Sequence, residues 1–305
     1  MRLRGELEKG KRRMEYILSE FDREHIEGWK RMKEEIKRLN WNEVPLVTAD
    51  DFTSSLIFLP PAKPENSKKG MLIICAGGGF TFKSQHEAKP VAEFFRNAGI
   101  NTAILDYHVT NADPDKDRFQ TKRFAMEDGI AAVRYCRYHA EELNIWEDKI
   151  AIGGFSAGGI TAALTATSAD TGQKESTDEL LKTSARPDAA LILYGAFSDT
   201  DIDRTHPYDE ALMKKNASLD ALCHITSNTP PMFLFQTNRD DPRIGLQFAS
   251  CLARYGVPFE IHTFEEGEHG GALFNGGDRE APYYEHTSKW AEIAAGWLKM
   301  RGFCG

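Results

Sequence analysis

A chain of 305 residues, 41% hydrophobic and 28% charged, has the balance of a soluble globular protein and suits one α/β domain with insertions, not a disordered, collagenous or membrane-spanning chain. Its net charge of -8, from 38 Lys plus Arg against 46 Asp plus Glu, opposes affinity for nucleic acid or an anionic membrane and leaves a neutral or cationic small molecule easier to accommodate. Five cysteines, Cys75, Cys136, Cys223, Cys251 and Cys304, are scattered without paired spacing, which suits reduced thiols and argues against a disulfide or metal framework.

The first residues, Met1-Arg2-Leu3-Arg4 running into Lys11-Arg12-Arg13, lead into mixed charges and no apolar stretch. No secretory signal is visible there, no run approaches the length of a membrane span, and cytoplasmic residence is expected. Met14, Ile17, Leu18, Phe21, Trp29, Met32, Ile36 and Leu39 then recur at helical spacing, so one amphipathic helix is predicted, weakened near Gly28. It makes residues 1–45 an N-terminal helical extension to a catalytic domain over 46–305. Periodicity alone does not name what the helix faces: it can pack on the main domain, cover an active-site mouth or join the subunits of a homo-oligomer.

After a loop marked by Pro60, Pro61, Pro64 and Lys68-Lys69-Gly70, short apolar runs alternate with longer helical patterns. Strands are predicted over 71–76, 100–105, 150–153, 189–194, 232–236 and 259–264. Helices are predicted near 88–98, 124–143, 157–168, 244–255 and 283–300. Strands alternating with helices imply a mainly parallel central sheet covered by helices on both faces. Two segments break the rhythm: 169–186, polar and charged, and 197–229, irregular and containing His206-Pro207-Tyr208. Insertions after sheet strands are where such folds vary their binding surfaces, so substrate choice is expected to reside there.

The run over 150–153 enters Gly154-Phe155-Ser156-Ala157-Gly158-Gly159, and a stretch of small residues follows. This is the strand, sharp turn and helix that a G-x-S-x-G nucleophile elbow requires, with small residues two before and two after the serine because the turn is strained. Ser156 is therefore the candidate nucleophile. A hydroxyl needs a neighbouring imidazole to take its proton. His269, in Glu266-Gly267-Glu268-His269-Gly270-Gly271 between the last strand and the last helix, stands where that base belongs.

The imidazole in turn needs a carboxylate to hold one tautomer. The loop Thr237-Asn238-Arg239-Asp240-Asp241-Pro242-Arg243-Ile244 offers two neighbours. Asp241, just before the Pro-x-apolar start of the next helix, is the choice, with Asp240 as its rival. The order Ser156, Asp241, His269 is that of the Ser…Asp/Glu…His hydrolases. For the developing oxyanion, Ala76-Gly77-Gly78-Gly79-Phe80 ends the first core strand, so the backbone N–H groups of Gly78 and Gly79 can join that of Ala157. A dinucleotide-binding loop would also follow a strand and open a helix, but Phe82 stands where its third glycine belongs. The cluster His262, Glu265, Glu266 and His269 matches neither His-Glu-x-x-His nor His-x-x-Glu-His. No metal or other cofactor is expected.

Further motifs accompany these residues: Ser84-Gln85-His86-Glu87-Ala88-Lys89-Pro90-Val91-Ala92, Leu105-Asp106-Tyr107-His108-Val109, Arg186-Pro187-Asp188-Ala189, Thr229-Pro230-Pro231-Met232-Phe233, and His262-Thr263-Phe264 leading to His269-Gly270. With the glycine loop and the elbow, they make residues 50–300 resemble the bacterial acetyl-esterase and acetylxylan-esterase-like branch of the α/β-hydrolases, near the hormone-sensitive-lipase type. Ala76 departs from that pattern, since many relatives have His or Pro there, and the N-terminal helix lies outside it. The resemblance implies an α/β-hydrolase fold and a two-step deacylation, through an acyl-enzyme, of short-chain and commonly acetyl esters. Carbohydrate or another small molecule carries the acyl group, and for a cytoplasmic enzyme the implied partner is an imported acetylated oligosaccharide. A serine peptidase on this fold would usually add a large domain and a lipase an apolar lid, neither of which the sequence suggests. A non-catalytic binding protein that kept the fold is the alternative from another class, and the intact triad and glycine loop count against it.

Overall fold

The computed structural model describes residues 19–63, 67–195, 217–277 and 283–304. Eight strands run in chain order: β1 Asn42–Ala49, β2 Phe52–Phe58, β3 Lys69–Cys75, β4 Asn101–Asp106, β5 Ile145–Phe155, β6 Ala189–Leu193, β7 Met232–Thr237 and β8 Phe259–Phe264. They form one sheet in the order β1-β2-β4-β3-β5-β6-β7-β8. Strands β3 to β8 pair in parallel, while β2 pairs antiparallel with both β1 and β4.

Every residue of β3, β4, β6 and β7 is buried, as parallel strands covered on both faces require. Alternate side chains feed two cores. Met71, Ile73 and Cys75 pack toward α3 (Arg118–Tyr138), α4 (Ala157–Ser168) and α6 (Pro242–Arg254), whereas Leu72 and Ile74 pack toward α1 (Glu20–Arg38), α2 (Lys89–Asn97) and α7 (Trp290–Met300). Cys75 and Cys136 are packing residues in the first of these cores, and burial pushes the Cys136 thiol up to about 12. The mainly parallel sheet with helices on both faces is the architecture expected from the alternating runs.

The β1–β2 hairpin was not among the predicted strands. Its outer strand has no fully buried residue and carries Pro45 at a register shift between Pro45 and Thr48. Both features belong to a sheet edge, where an unpaired N–H side tolerates proline. The polar segment 169–186 also differs from expectation. It holds only the short helix α5 (Glu179–Lys182) and lies on the back of α3, where Arg134 meets Asp170 and the Thr183 carbonyl and Arg137 meets the Ser184 carbonyl. It therefore lies away from the carboxyl ends of the strands, and its polarity reflects this docking. His206-Pro207-Tyr208 lies outside the described residues.

Helix α1 runs unbroken through Gly28, whose missing side chain lets Gln85 approach: a Cβ there would lie 3.1 Å from the Gln85 side chain. Ser19 caps its start by accepting the Asp22 N–H at 3.1 Å, and Glu20 and Asp22 in the first turn with Lys37 and Arg38 in the last complement the helix dipole. Trp29, Met32 and Ile36 are buried, but Phe21 and Leu39 are exposed, and Met14, Ile17 and Leu18 lie outside the described residues. The apolar stripe thus serves the main domain of the same chain.

The anchor of this docking is Asp106, at the end of β4 and 2% exposed. Its carboxylate accepts from Trp29 Nε1 at 3.0 Å and pairs with Lys33 at 2.6 Å and with the buried Lys83 at 2.5 Å. Burial pushes the Asp106 carboxyl up, but Lys83 and Lys33 outweigh it and hold the group below its ordinary value. Its contribution to stability is thus present above the unfolded-state value and lost as pH falls through the depressed one. Removing one member of a buried ion pair strands the others, at a cost of about 3–5 kcal/mol. Asp106→Ala is expected to lose stability of that order in urea unfolding, and a loss below about 1 kcal/mol would contradict this account of the anchor.

Candidate active site

Strand β5 ends at Phe155, and the chain turns at Ser156 with φ 50° and ψ -119° before α4 begins at Ala157. A positive φ is strained for a residue with a side chain and persists only where the surroundings enforce it. Here the enforcement is backbone contact. A Cβ on Gly154 would lie 2.3 Å from the Gly158 carbonyl oxygen, and one on Gly158 would lie 2.1 Å from that of Cys75. Only glycine fits at either position. The turn presents Ser156 at the carboxyl end of the sheet and at the start of α4, where helix N–H groups lack intrahelical partners.

His269 Nε2 lies 2.8 Å from Ser156 Oγ, and His269 Nδ1 lies 2.6 Å from Asp240 Oδ2. A carboxylate only accepts, so Nδ1 carries the hydrogen, and Nε2 is left to accept from the serine hydroxyl. Ser156 and His269 meet as expected. The acid does not: Asp240, not Asp241, reaches the imidazole.

The physical reason is a competing helix signal. Asp241 is the N-cap of α6, its Oδ1 accepting the Arg243 N–H at 3.0 Å ahead of Pro242 at the helix start, and its carboxylate also meets the Arg243 guanidinium at 2.7 Å. The Asp-Pro step that made Asp241 attractive in the sequence marks a helix cap. Asp240, one residue earlier, is turned toward the site, with Oδ1 accepting the Asp241 N–H at 3.0 Å. Burial pushes the Asp240 carboxyl up, yet the hydrogen bond and charge of His269 and the bond from the Asp241 N–H carry it below its ordinary value. Burial lowers the His269 imidazole, but the hydrogen bond and charge of Asp240, with Glu87 beyond, carry it above its ordinary value.

The two loops that carry His269 and Asp240 are tied together. Thr237 Oγ1 donates to the Gly267 carbonyl at 2.6 Å and Arg239 pairs with Glu268 at 2.6 Å, while Trp290 Nε1 at the start of α7 holds the His269 loop by donating to the Ala272 carbonyl at 3.0 Å.

The glycine loop is ordered through its carbonyls. Ala76 O accepts from the Tyr107 hydroxyl at 2.5 Å, Gly77 O from Ser84 N at 3.0 Å, Gly78 O from Thr81 N at 2.9 Å, and Gly79 O from Arg118 Nη2 at 2.5 Å. In a trans peptide the N–H points opposite to the preceding C=O. Tying back the carbonyls of Gly77 and Gly78 therefore turns out the N–H groups of Gly78 and Gly79, and both residues line the cavity beside Ser156. Gly78 sits at φ 127°, where a Cβ would lie 2.2 Å from the Phe82 carbonyl oxygen. Ala157 is the first residue of α4, where a helix N–H lacks an intrahelical partner. Tyr107 supports the loop at Ala76.

This cavity of about 620 Å³ is of the size that holds small organic ligands. Phe21 and His25 of α1 and Thr81 and Phe82 of the glycine loop form its wall. Phe21, 60% exposed, meets Phe82 edge-on with ring centroids 5.6 Å apart, and the His25 ring lies 4.3 Å from the same phenyl. The helix that the sequence left without a partner therefore borders the site. Among the described residues, none of segment 169–186 lines the cavity, which corrects the expectation that substrate choice resides there. Glu87, Tyr194 and Tyr107 were also missed, since a buried acid or tyrosine leaves no spacing signal.

The pattern of the BD-FAE family matches residues 57–252. The chain is 30% identical over 225 residues to endo-1,4-beta-xylanase B of Butyrivibrio fibrisolvens, covering 69% of this chain and 34% of that protein. It is 21% identical over 254 residues to the acetylxylan esterase of Xylanibacter ruminicola, covering 77% of this chain and 46% of that one. It therefore spans about a third of the first and under half of the second. Among solved structures, the acetyl ester-xyloside bifunctional hydrolase of Caldicellulosiruptor lactoaceticus superposes with a TM-score of 0.70 at 29% identity, covering 84% of this chain and 91% of that one. The fold is that of the α/β-hydrolases.

The geometry assigns the raised imidazole to Asp240. Asp240→Asn is expected to lower the His269 pKa, followed by NMR titration, by about one unit or more. Asp241→Ala is expected to leave it in place while costing about 1 kcal/mol of stability through the lost cap. The reverse pattern would contradict the assignment.

Proposed function

The chain belongs to the BD-FAE family, and on that premise we propose that it is a serine carboxylesterase acting on short-chain acyl esters, with Ser156 as nucleophile, His269 as base and Asp240 as the orienting acid. The observation that carries this reading is the unbroken line from Ser156 Oγ to His269 Nε2 at 2.8 Å and from His269 Nδ1 to Asp240 at 2.6 Å. His269 takes the Ser156 proton as the oxygen attacks the ester carbonyl. The N–H groups of Gly78, Gly79 and Ala157 stabilise the oxyanion. The protonated imidazole then gives its proton to the leaving alcohol, and an acyl-enzyme remains on Ser156. Water, deprotonated by the same imidazole, releases the carboxylic acid and restores the serine.

Acetyl groups on carbohydrate are the substrates that an acetylxylan esterase and an acetyl ester-xyloside hydrolase among the similar proteins favour, and the similarity to a xylanase favours carbohydrate more broadly. The open, aromatic-walled cavity, with Phe21 and Phe82 beside Ser156, offers apolar faces against which a sugar ring can lie.

Ser156→Ala is expected to lower hydrolysis of p-nitrophenyl acetate by at least about 10³-fold, and wild-type turnover in that variant would sink the mechanism. Because the base must be neutral and its pKa is raised, kcat/KM should fall as pH drops through a value above the ordinary histidine range. Across acetyl, butyryl and long-chain esters, kcat/KM should decline with chain length. A preference for long chains would replace the acetyl-esterase reading with a lipase.

A further inference from the structure

Glu87 is an acid at the active site for which the mechanism above provides no task. It ends the one-turn 3-10 helix Gln85–Glu87 behind the glycine loop and is 2% exposed. Its two oxygens serve different loops. Oε2 accepts the Gly77 N–H at 2.6 Å, while Oε1 accepts the Tyr194 hydroxyl at 2.7 Å. The Tyr194 oxygen in turn accepts the Ala272 N–H at 3.0 Å, three residues beyond His269. One side chain therefore stands between the loop that offers the oxyanion donors and the loop that carries the base.

The grip on the glycine loop is specific. The peptide joining Ala76 to Gly77 is held at both ends, its C=O by the Tyr107 hydroxyl at 2.5 Å and its N–H by Glu87. From this fixed unit the chain continues into the peptides bearing the Gly78 and Gly79 N–H groups, so a rotation here would re-aim both donors. Gly77 and Tyr194 each present a hydrogen to Glu87, which is the pattern of an ionised, acceptor-only carboxylate. A neutral amide could retain much of this bonding. What only the carboxylate adds is charge.

The groups facing Glu87 are His86 from its own turn, Tyr107 after β4, Tyr194 after β6 and His269 from the loop after β8. Burial outweighs the pull of these partners and holds the Glu87 carboxyl above its ordinary value, so the charge on Glu87 rests on the two donors that face it. Facing His269 are Asp240, in direct contact, the Tyr194 ring with its centroid 5.0 Å away, and Glu87 beyond. The imidazole thus stands between two acids.

Building on the esterase reading, we propose that Glu87 is a positioning residue that locks the oxyanion loop to the His269 loop through Gly77, Tyr194 and Ala272, and that its negative charge favours the imidazolium formed when Ser156 loses its proton. Glu87 touches no reacting atom. It acts through the aim of the Gly78 and Gly79 donors and through the proton affinity of His269.

The test compares wild type, Glu87→Gln, Tyr194→Phe and the double variant on p-nitrophenyl acetate, with kcat, KM and the pH profile measured for each. Glu87→Gln should lower kcat about 10- to 100-fold at nearly constant KM, the scale of a small misplacement of catalytic groups. Its acidic limb of kcat/KM should move to lower pH, because a negative charge near the imidazole is gone. Tyr194→Phe should lower kcat while leaving the limb in place, and the double variant should lose less than the product of the single losses, since both act through one chain of bonds. Wild-type kcat and an unmoved limb in Glu87→Gln would overturn the proposal while the active wild type upholds the esterase reading. If Glu87→Gln shows no cooperative thermal transition, Tyr194→Phe, which keeps its ring in the core, decides alone: a loss of about tenfold supports the proposal and wild-type kcat overturns it. An inactive wild type would overturn the esterase reading and this proposal with it.

Discussion

The contact on which the site depends is one that contains no side chain. Gly158, in the first turn of α4, lies against the end of β3 so closely that a Cβ would fall 2.1 Å from the Cys75 carbonyl oxygen and 2.5 Å from that of Ala76. The same approach fixes two things. It drives the chain through the strained Ser156 conformation at φ 50°, and it places the start of α4 beside the strand end from which the glycine loop departs. The proposed nucleophile and the proposed oxyanion donors are thus set by the meeting of two backbone segments, which rotamer changes cannot loosen. Side-chain chemistry is then added from the adjoining strand ends, with Asp240 following β7 and His269 following β8.

A second constraint holds the mouth of the site. Asp106, at the end of β4, gathers Trp29 and Lys33 from α1 and Lys83 from the chain following the glycine loop. Through that one carboxylate, the helix that walls the cavity and the glycine loop beside Ser156 share an anchor. The Lys83 ammonium also lies 4.8 Å from the centre of the Phe52 ring and 5.2 Å from that of Trp29, so aromatic faces add to the ion pairs around a charge that burial would otherwise disfavour. The antiparallel β1–β2 hairpin, which brings Phe52 there, contributes to the site through this packing.

What could be read from the sequence follows the strength of the local signal. The buried parallel strands announced themselves as apolar runs, and the elbow as two glycines flanking a serine between a strand and a helix. The hairpin escaped because Pro45 in β1 and the polar Thr53-Ser54-Ser55 in β2 do not resemble a core strand. Asp241 was preferred over Asp240 because a strong local motif, an acid before Pro at a helix start, is itself a capping signal, and the cap used up the carboxylate. The assignment of 169–186 to the substrate face failed because polarity marks solvent or arginine partners equally well, and here Arg134 and Arg137 account for it. Helix α1 was legible as amphipathic, but its register against the cavity depends on Asp106, 73 residues beyond Lys33, and no helical period carries that. Glu87 lay in a motif whose resemblance was visible, although its task became legible only once Gly77, Tyr194 and Ala272 were seen to converge on it.

The central claim is that Ser156 is activated by its neighbours to form a covalent acyl-enzyme. The most direct measurement is mass spectrometry of the folded protein after reaction with an organophosphonate that mimics the tetrahedral intermediate. The account predicts one label per chain, located on the peptide containing Gly154 to Gly158 at Ser156, and suppressed by prior incubation with a short-chain acyl ester. A folded protein that takes up no label, or takes it up on another residue, would contradict the account and favour a hydrolase fold that binds without catalysing.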